Sequence, residues 1–494
     1  MKKRTKWNIW IFLIVVNLTN GFSQSSHIIY GQNFQPGTNG KFIKINLGFD
    51  FYPGRTDRLM PPVIIIHGGH FLEPETNELT WGDAKDSCIV YLAQQLNAIG
   101  LPVLVPTFRT GLETDKPLKE SYVRAVYRGS QDIHALIRFI KTSPKELRQQ
   151  SIDSSNIILW GFESGGIVAA ACANATRNLE WLAPELVKAD SSGPIIDTRE
   201  LGNPLGTSFG LKGKDTLNTP LYSGTSEVSI WVAVGGGILS ASWVRFTSPI
   251  NLLFHVPTDP IIPFRLGKIV LPKGYDQVTE VYGSKKTNEF YQSLVKYDLW
   301  DRANFNDPIS QLAHQRNDGH EGLFIFNTRT AVDHTPWNWA DSAFWIKIQH
   351  PTCEPIPPPV CSYYLNALFT NPDMSGQKGR AYIDTMLTFF KPRLDLLFGT
   401  RTGIIRPVQN KQVFKIFPNP SRNTIYLEGS ENAEFNTIQW TIYNYNGVKM
   451  TESTFVNADK MAIDLSPQLS NGMYFIRLKY GHHTETHKLI IIQK

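Results

Sequence analysis

The segment NIILWGFESGG, Asn156 to Gly166, carries the strongest chemical signal in the sequence. An apolar run, Ile157 to Trp160, enters a glycine turn and leaves as the helix-like run Ile167 to Ala173. Turns of the G-x-S-x-G kind present a serine at the tip of a sharp strand-to-helix bend, where its hydroxyl acts as a nucleophile. Here the tip is Glu163. The bend demands small residues two before and two after the tip, and Gly161 and Gly165 meet that demand. If Ser164 were the tip, Phe162 would fall where a side chain clashes, so the spacing rejects Ser164 as nucleophile. A carboxylate at such a tip is a poor nucleophile toward an ester, because an acid anhydride would result. It attacks saturated carbon better, it can act as a general base toward water, or it can sit inert before the N–H donors of the following helix.

The elements that must position this turn read as strands alternating with helices. KFIKINLGFDFYPG alternates with period 2, as a strand does. PPVIIIHGGHF and LPVLVPTFR are continuous apolar runs, as in strands buried on both faces. SCIVYLAQQLNAIG and AVYRGSQDIHALIRFIKTSP have helical periodicity. VSIWVAVGGG and INLLFHVPTDPIIPF are two further buried strands, and DQVTEVYGS is a candidate for the next. The alternation predicts a mostly parallel sheet with helices on both faces, its ligand site at the carboxyl ends of the strands. From Gln315 the pattern loosens into TPWNWADSAFWIKIQHPTCEPIPPPVC, and RAYIDTMLTFFKPRLDLLF predicts a closing helix. The last eighty or so residues change to short strands, VFKIFPNPSRNTIYLEG, TIQWTIYNYNGVKM, GMYFIRLKYG and THKLIIIQK, separated by Pro-Asn-Pro and Asn-Gly turns. They predict a small all-β sandwich.

The chain has 494 residues and a formal charge of +6, small for this length. Part of that charge lies in Lys2, Lys3, Arg4 and Lys6, and nothing indicates nucleic-acid binding. MKKRTK followed by WNIWIFLIVV and NGFSQ reads as an export signal cut before Gln24. The apolar stretch is too short to span a bilayer comfortably. Export permits disulfides. Cys353 and Cys361 flank EPIPPP and are spaced to close a small loop, while Cys88 and Cys172 sit in apolar helices and read equally as free thiols or as a bridge. No spacing indicates a metal site, and nothing requires a cofactor.

Two families are resembled. From about Lys41 to Leu397 the chain resembles the α/β-hydrolase fold, in particular its secreted carboxylesterase-like members. HGGHF resembles the HGGGF oxyanion loop, and His70 departs from it. GDAKDSCIVYLAQQLNAIGLPVLVPTFR and YRGSQDIHALIRFI resemble the units before the elbow. FHVPTDPIIPF resembles HGTxDxxVP, and NDGHEGLF resembles the loop bearing the catalytic histidine. From about Val413 to Lys494 the chain resembles the type A C-terminal sorting domain of the Bacteroidetes type IX secretion system, on FPNP, IYNYNGVKM, LSNGMYFIRL and KLIIIQK.

The resemblances imply four segments: a signal at 1–23, an α/β-hydrolase-like domain at 27–399, a linker at 400–412 and a sorting domain at 413–494. They imply export across the outer membrane, the type IX machinery as partner, release or attachment at the cell surface, and a small-molecule or glycan ester as ligand. They imply a triad of Glu163, Asp259 and His320, with oxyanion donors on the backbone of Gly69, His70 and Ser164. With glutamate at the tip, the leading expectation is a degenerate hydrolase that serves as a binding or surface protein. The runner-up is an active hydrolase using Glu163 as nucleophile or base with Asp259 and His320. Trp337, Trp339 and Trp345 are expected to pack in the core and lid rather than to form a sugar- or aromatic-binding platform over the cleft, and His134 and Asp132 to be structural.

Overall fold

The structure, a computed structural model, describes residues 26–37, 41–72, 79–142, 145–147, 150–206, 225–271, 276–294, 297–350, 356–398, 414–429, 437–444, 449–456, 461–465, 469–480 and 483–492. The expected export signal and linker lie outside the described residues. The chain divides into two compact units, Met1–Thr402 and Gly403–Lys494.

The first unit is built on an eight-stranded sheet of order β1-β2-β4-β3-β5-β6-β8-β11. Its strands are β1 (Ser26–Pro36), β2 (Phe42–Tyr52), β3 (Val63–Ile66), β4 (Val103–Pro106), β5 (Ile158–Phe162), β6 (Ile230–Val234), β8 (Ile250–His255) and β11 (Leu323–Ile325). β1, β2 and β4 pair antiparallel, and from β4 through β3, β5, β6 and β8 to β11 every pairing is parallel. The parallel strands are apolar along their whole length because helices cover both faces. Val63, Ile64, Ile65 and Ile66 of β3, and Ile230, Trp231, Val232, Ala233 and Val234 of β6, are fully buried. This is the α/β-hydrolase fold. β7 (Gly237–Ile238), β9 (Leu266–Val270) and β10 (Gln277–Gly283) form a separate antiparallel sheet, so DQVTEVYGS supplies a strand outside the main sheet.

Helices α1 (Ser87–Ala98), α2 (Leu118–Lys141) and α3 (Ser164–Asn174) follow the loops that build the site. Within α2, Asp132 is buried and takes both the backbone N–H and the guanidinium of Arg109, which pins the loop after β4. His134 is buried beside Cys172, whose sulfur is 3.5 Å from its Nδ1. Cys88 and Cys172 are buried free thiols, and Cys361 is disulfide-bonded. The closing helix, Gly376–Phe398, packs Phe389 and Phe390 against Phe254 and Trp160 of the sheet. Among the described residues no helix is long and apolar enough to cross a membrane.

The second unit is all β. Strands β12 (Phe414–Phe417), β13 (Thr424–Gly429) and β16 (Met461–Asp464) make one sheet. β15 (Lys449–Val456), β14 (Thr437–Asn444), β17 (Gly472–Tyr480) and β18 (His483–Ile491) make the other. All their pairings are antiparallel. Residues of both, including Phe414, Ile425, Trp440, Ile442, Ile476 and Leu489, share one apolar core, as alternate residues of a sandwich do.

Candidate functional site

Glu163 is the tip of the elbow between β5 and α3. Its backbone is left-handed, with φ 51° and ψ −117°, a conformation uncommon for a residue with a Cβ. The flanking glycines explain how the turn closes. A Cβ on Gly161 would lie 2.2 Å from the Gly165 carbonyl oxygen, and one on Gly165 would lie 2.3 Å from that of His67. Loop 67–71, after β3, runs beside the tip. His70 and Phe71 are also left-handed, with φ 53° and 62°, so His70 holds a strained conformation where the resembled motif has glycine.

The Glu163 carboxylate is enclosed by donors. Trp81 Nε1 donates to Oε2 at 3.1 Å, Asn338 Nδ2 donates to Oε1 at 3.3 Å, and the Gly69 backbone N–H faces the carboxylate and favours its charged form. His70 Nε2 lies 3.6 Å from Oε2, and the two side chains are 1% and 5% exposed. The Glu163 carboxyl is raised to about 7, chiefly by burial and further by nearby Asp259, while the Trp81 and Asn338 bonds and the Gly69 backbone N–H pull the other way. Burial lowers His70 to about 4, so at neutral pH it is an uncharged imidazole. The backbone N–H of His70 donates to the Ser164 hydroxyl at 2.9 Å. Of the expected oxyanion donors, the His70 N–H is thus taken up inside the protein by Ser164, and the Gly69 N–H faces the Glu163 carboxylate.

Asp259 follows β8 at the same end of the sheet. Its Oδ1 accepts the N–H groups of Ile261 and Ile262 at 2.8 and 3.2 Å. Its Oδ2 is 3.6 Å from Nε2 of His255. His255 Nδ1 is 2.7 Å from the Ser284 hydroxyl, and its Nε2 is 3.0 Å from the Ile262 carbonyl. Serine, histidine and aspartate therefore stand in a row, but His255 and Ser284 are completely buried and no substrate reaches them. The row fixes the loop that carries Asp259.

His320 does not join Glu163 and Asp259, and the expected triad is corrected here. His320 lies three residues before β11, which runs parallel to β8 with Leu323 opposite Leu253 and Ile325 opposite His255. It therefore sits at the amino end of the sheet, whereas Glu163 and Asp259 follow the carboxyl ends of their strands. His320 is exposed. The buried member of its loop is Glu321, which pairs with Arg393 of the closing helix at 2.7 Å and with His314 at 2.6 Å. The segment that reaches Glu163 from the last strand is the one after β11, and the residue it delivers is Asn338. The Asn338 amide is held at both ends, since its Oδ1 accepts the Cys88 thiol at 3.0 Å. Neither Trp81 nor Asn338 is marked by any motif. The place of Asn338 becomes readable only once β11 is known.

Trp337 is fully buried against Phe326, and its edge and the Asp259 carboxylate both lie close to Gly235. Trp339 packs on Tyr91, and Trp345 on Phe344 and Tyr363. These tryptophans pack, and form no common platform. Among the described residues no group of three or more His, Cys, Asp or Glu side chains is arranged to hold a metal ion.

Residues 415–492 match the family model of the secretion system C-terminal sorting domain. No curated protein sequence matches the chain. Among solved structures, the propionate-bound esterase 2 of the planctomycete Thermogutta terrifontis is similar, at 13% identity and a TM-score of 0.30, over 49% of this chain and 74% of that one. The acetyl ester-xyloside bifunctional hydrolase of Caldicellulosiruptor lactoaceticus is similar at 14% identity and a TM-score of 0.29, over 49% of this chain and 77% of that one. The fold assignment rests on the strand order, the parallel register and the elbow. The sorting domain marks the protein for the type IX machinery and for secretion or cell-surface attachment. The chain is an exported α/β-hydrolase-fold protein whose residues 415–492 match the secretion system C-terminal sorting domain family.

Proposed function

We propose that this protein is a degenerate esterase-like hydrolase that works outside the cell as a non-catalytic binding or surface protein. The observation that carries the reading is the Glu163 carboxylate lying against the oxyanion loop, its Oε2 2.8 Å from where a Cβ on Gly68 would stand and the Gly69 N–H facing it. An acyl-transfer enzyme keeps that donor free for the oxyanion of the tetrahedral intermediate. Here a side chain of the protein fills the position, and Trp81 and Asn338 hold it there. Among the described residues no histidine stands where a base for a nucleophile at the tip is needed, and Asn338 occupies the approach from the last strand. His70, the nearest imidazole, lies against the carboxylate in a closed environment.

One observation favours a second reading, an active hydrolase that uses Glu163 as a base or as a nucleophile on alkyl substrates. A carboxyl pushed up to about 7 is matched to proton transfer at neutral pH. The enclosure of the same carboxylate weighs against it, since the Glu163 side chain is only 5% exposed. Incubating wild type and Glu163→Gln with p-nitrophenyl acetate and with a small alkyl epoxide separates the two. The first reading predicts no turnover above buffer from either protein. Wild-type turnover lost in Glu163→Gln would overturn it in favour of the second.

A further inference from the structure

A second site lies away from Glu163, between the segment after β11 and the first turn of the closing helix. It is a cavity of about 470 Å³ lined by Arg329, Asp333, Asp373, Gln377, Lys378 and Tyr382, together with Ser375 and Ala381. That is the size range of small-ligand sites. Lys378 does not serve as a free cation there. Its ammonium is enclosed by Asp333 Oδ2, Asp373 Oδ1, Asn371 Oδ1 and the Pro372 carbonyl, all at 2.7–2.8 Å. Asp333 is a different matter. Its side chain is 4% exposed, and its Oδ1 has no hydrogen-bond partner among the described residues. A buried carboxylate oxygen without a donor is costly, and native structures supply one.

The chemistry of the lining says what kind of donor fits. Two acids, Asp333 and Asp373, are matched by two bases, Lys378 and Arg329, so the cavity carries no net charge to select an ion. The lining supplies both donors and acceptors: the Gln377 amide and the Arg329 guanidinium, itself 3.5 Å from Asp373, beside the two carboxylates. Tyr382, half-buried and packed on Phe326, offers an aromatic wall. A neutral molecule that combines several hydroxyls with an apolar ring face meets all three conditions. We infer that this cavity binds a carbohydrate, with a sugar hydroxyl donating to Asp333 and the ring resting against Tyr382. This goes beyond the reading of the Glu163 site and does not depend on it, since the two sites share no residue.

The test is ligand-observed saturation-transfer NMR on the full purified chain with D-glucose, D-galactose, D-xylose and, as a cationic competitor class, ethylammonium. The expected result is saturable binding of at least one sugar, weakened at least tenfold by Asp333→Ala and by Tyr382→Ala. Tyr382→Ala decides the matter if loss of the Lys378 partner unfolds Asp333→Ala. The inference is overturned if no sugar binds saturably, if ethylammonium binds in preference to every sugar, or if sugar binding survives Tyr382→Ala unchanged. An ester-hydrolysis assay on the same samples reads the Glu163 site separately, so the failure of one account leaves the other standing.

Discussion

Asn338 donates its amide N–H to the Glu163 carboxylate across 3.3 Å, joining the segment after the last strand to the elbow of the central one. The contact is a structural tie in a place where the fold would position a catalytic base. Because the Asn338 carbonyl also accepts the Cys88 thiol, removing the amide leaves two buried groups short of a partner. Asn338→Ala is expected to destabilise the protein by about 1–3 kcal/mol, read by chemical denaturation at pH 7.

The raised carboxyl of Glu163 ties stability to pH. A carboxyl whose folded-state value is about 7, against an ordinary 4.5, binds its proton more tightly when folded. Its contribution is therefore fully present below about pH 4.5 and is lost as pH rises through 7. Glu163→Gln keeps the shape and removes the ionisation. At pH 8 the variant is expected to be more stable than wild type, on the order of 2–3 kcal/mol, and near parity at pH 5. Asp86, which burial pushes up to about 8, leaves a second slope of the same sign in the variant. Thermal melts across pH 5–8 check the difference between the two proteins.

His320→Ala is expected to change stability by less than about 0.5 kcal/mol, since the side chain is exposed at the far end of the sheet from Glu163. It is expected to leave any chemistry at Glu163 untouched. Glu321→Ala, one residue on, strips Arg393 of its buried partner and is expected to cost about 3–5 kcal/mol. Urea denaturation of the pair of variants measures both, and equal effects would contradict the assigned geometry.

Gly165→Ala places a methyl group 2.3 and 2.4 Å from the carbonyl oxygens of His67 and Ile66, neither of which can retreat from the sheet. The variant is expected to fail to accumulate as folded protein, or to lose more than about 4 kcal/mol. Circular dichroism and yield against wild type report this.

The parts legible in the sequence were those with a steric or periodic signature. The elbow could be placed because only glycine fits at 161 and 165. The buried strands showed as unbroken apolar runs, and the sorting domain as evenly spaced turns. β11 has no signature in the sequence, because three residues, Leu323 to Ile325, are too few to show a period. NDGHEGLF resembles the loop bearing the catalytic histidine, but it enters the sheet at the amino end of β11. His320, which the resemblance assigns to the triad, therefore stands at the opposite end of the sheet from Glu163. Trp81 and Asn338 had no signature at all, since an indole or an amide reaching a carboxylate across 82 or 175 residues leaves no local pattern.

The central claim is that Glu163 closes an otherwise esterase-like site and that the base is missing from the segment after β11. The most direct measurement is p-nitrophenyl acetate hydrolysis by wild type, Glu163→Ser and the double variant Glu163→Ser, Asn338→His. The account predicts buffer-level rates for wild type and for the single variant, and a saturable rate above buffer for the double variant, where a serine and an imidazole meet at the elbow. Saturable turnover by wild type that disappears in Glu163→Ser would contradict it, because the glutamate would then be the working group.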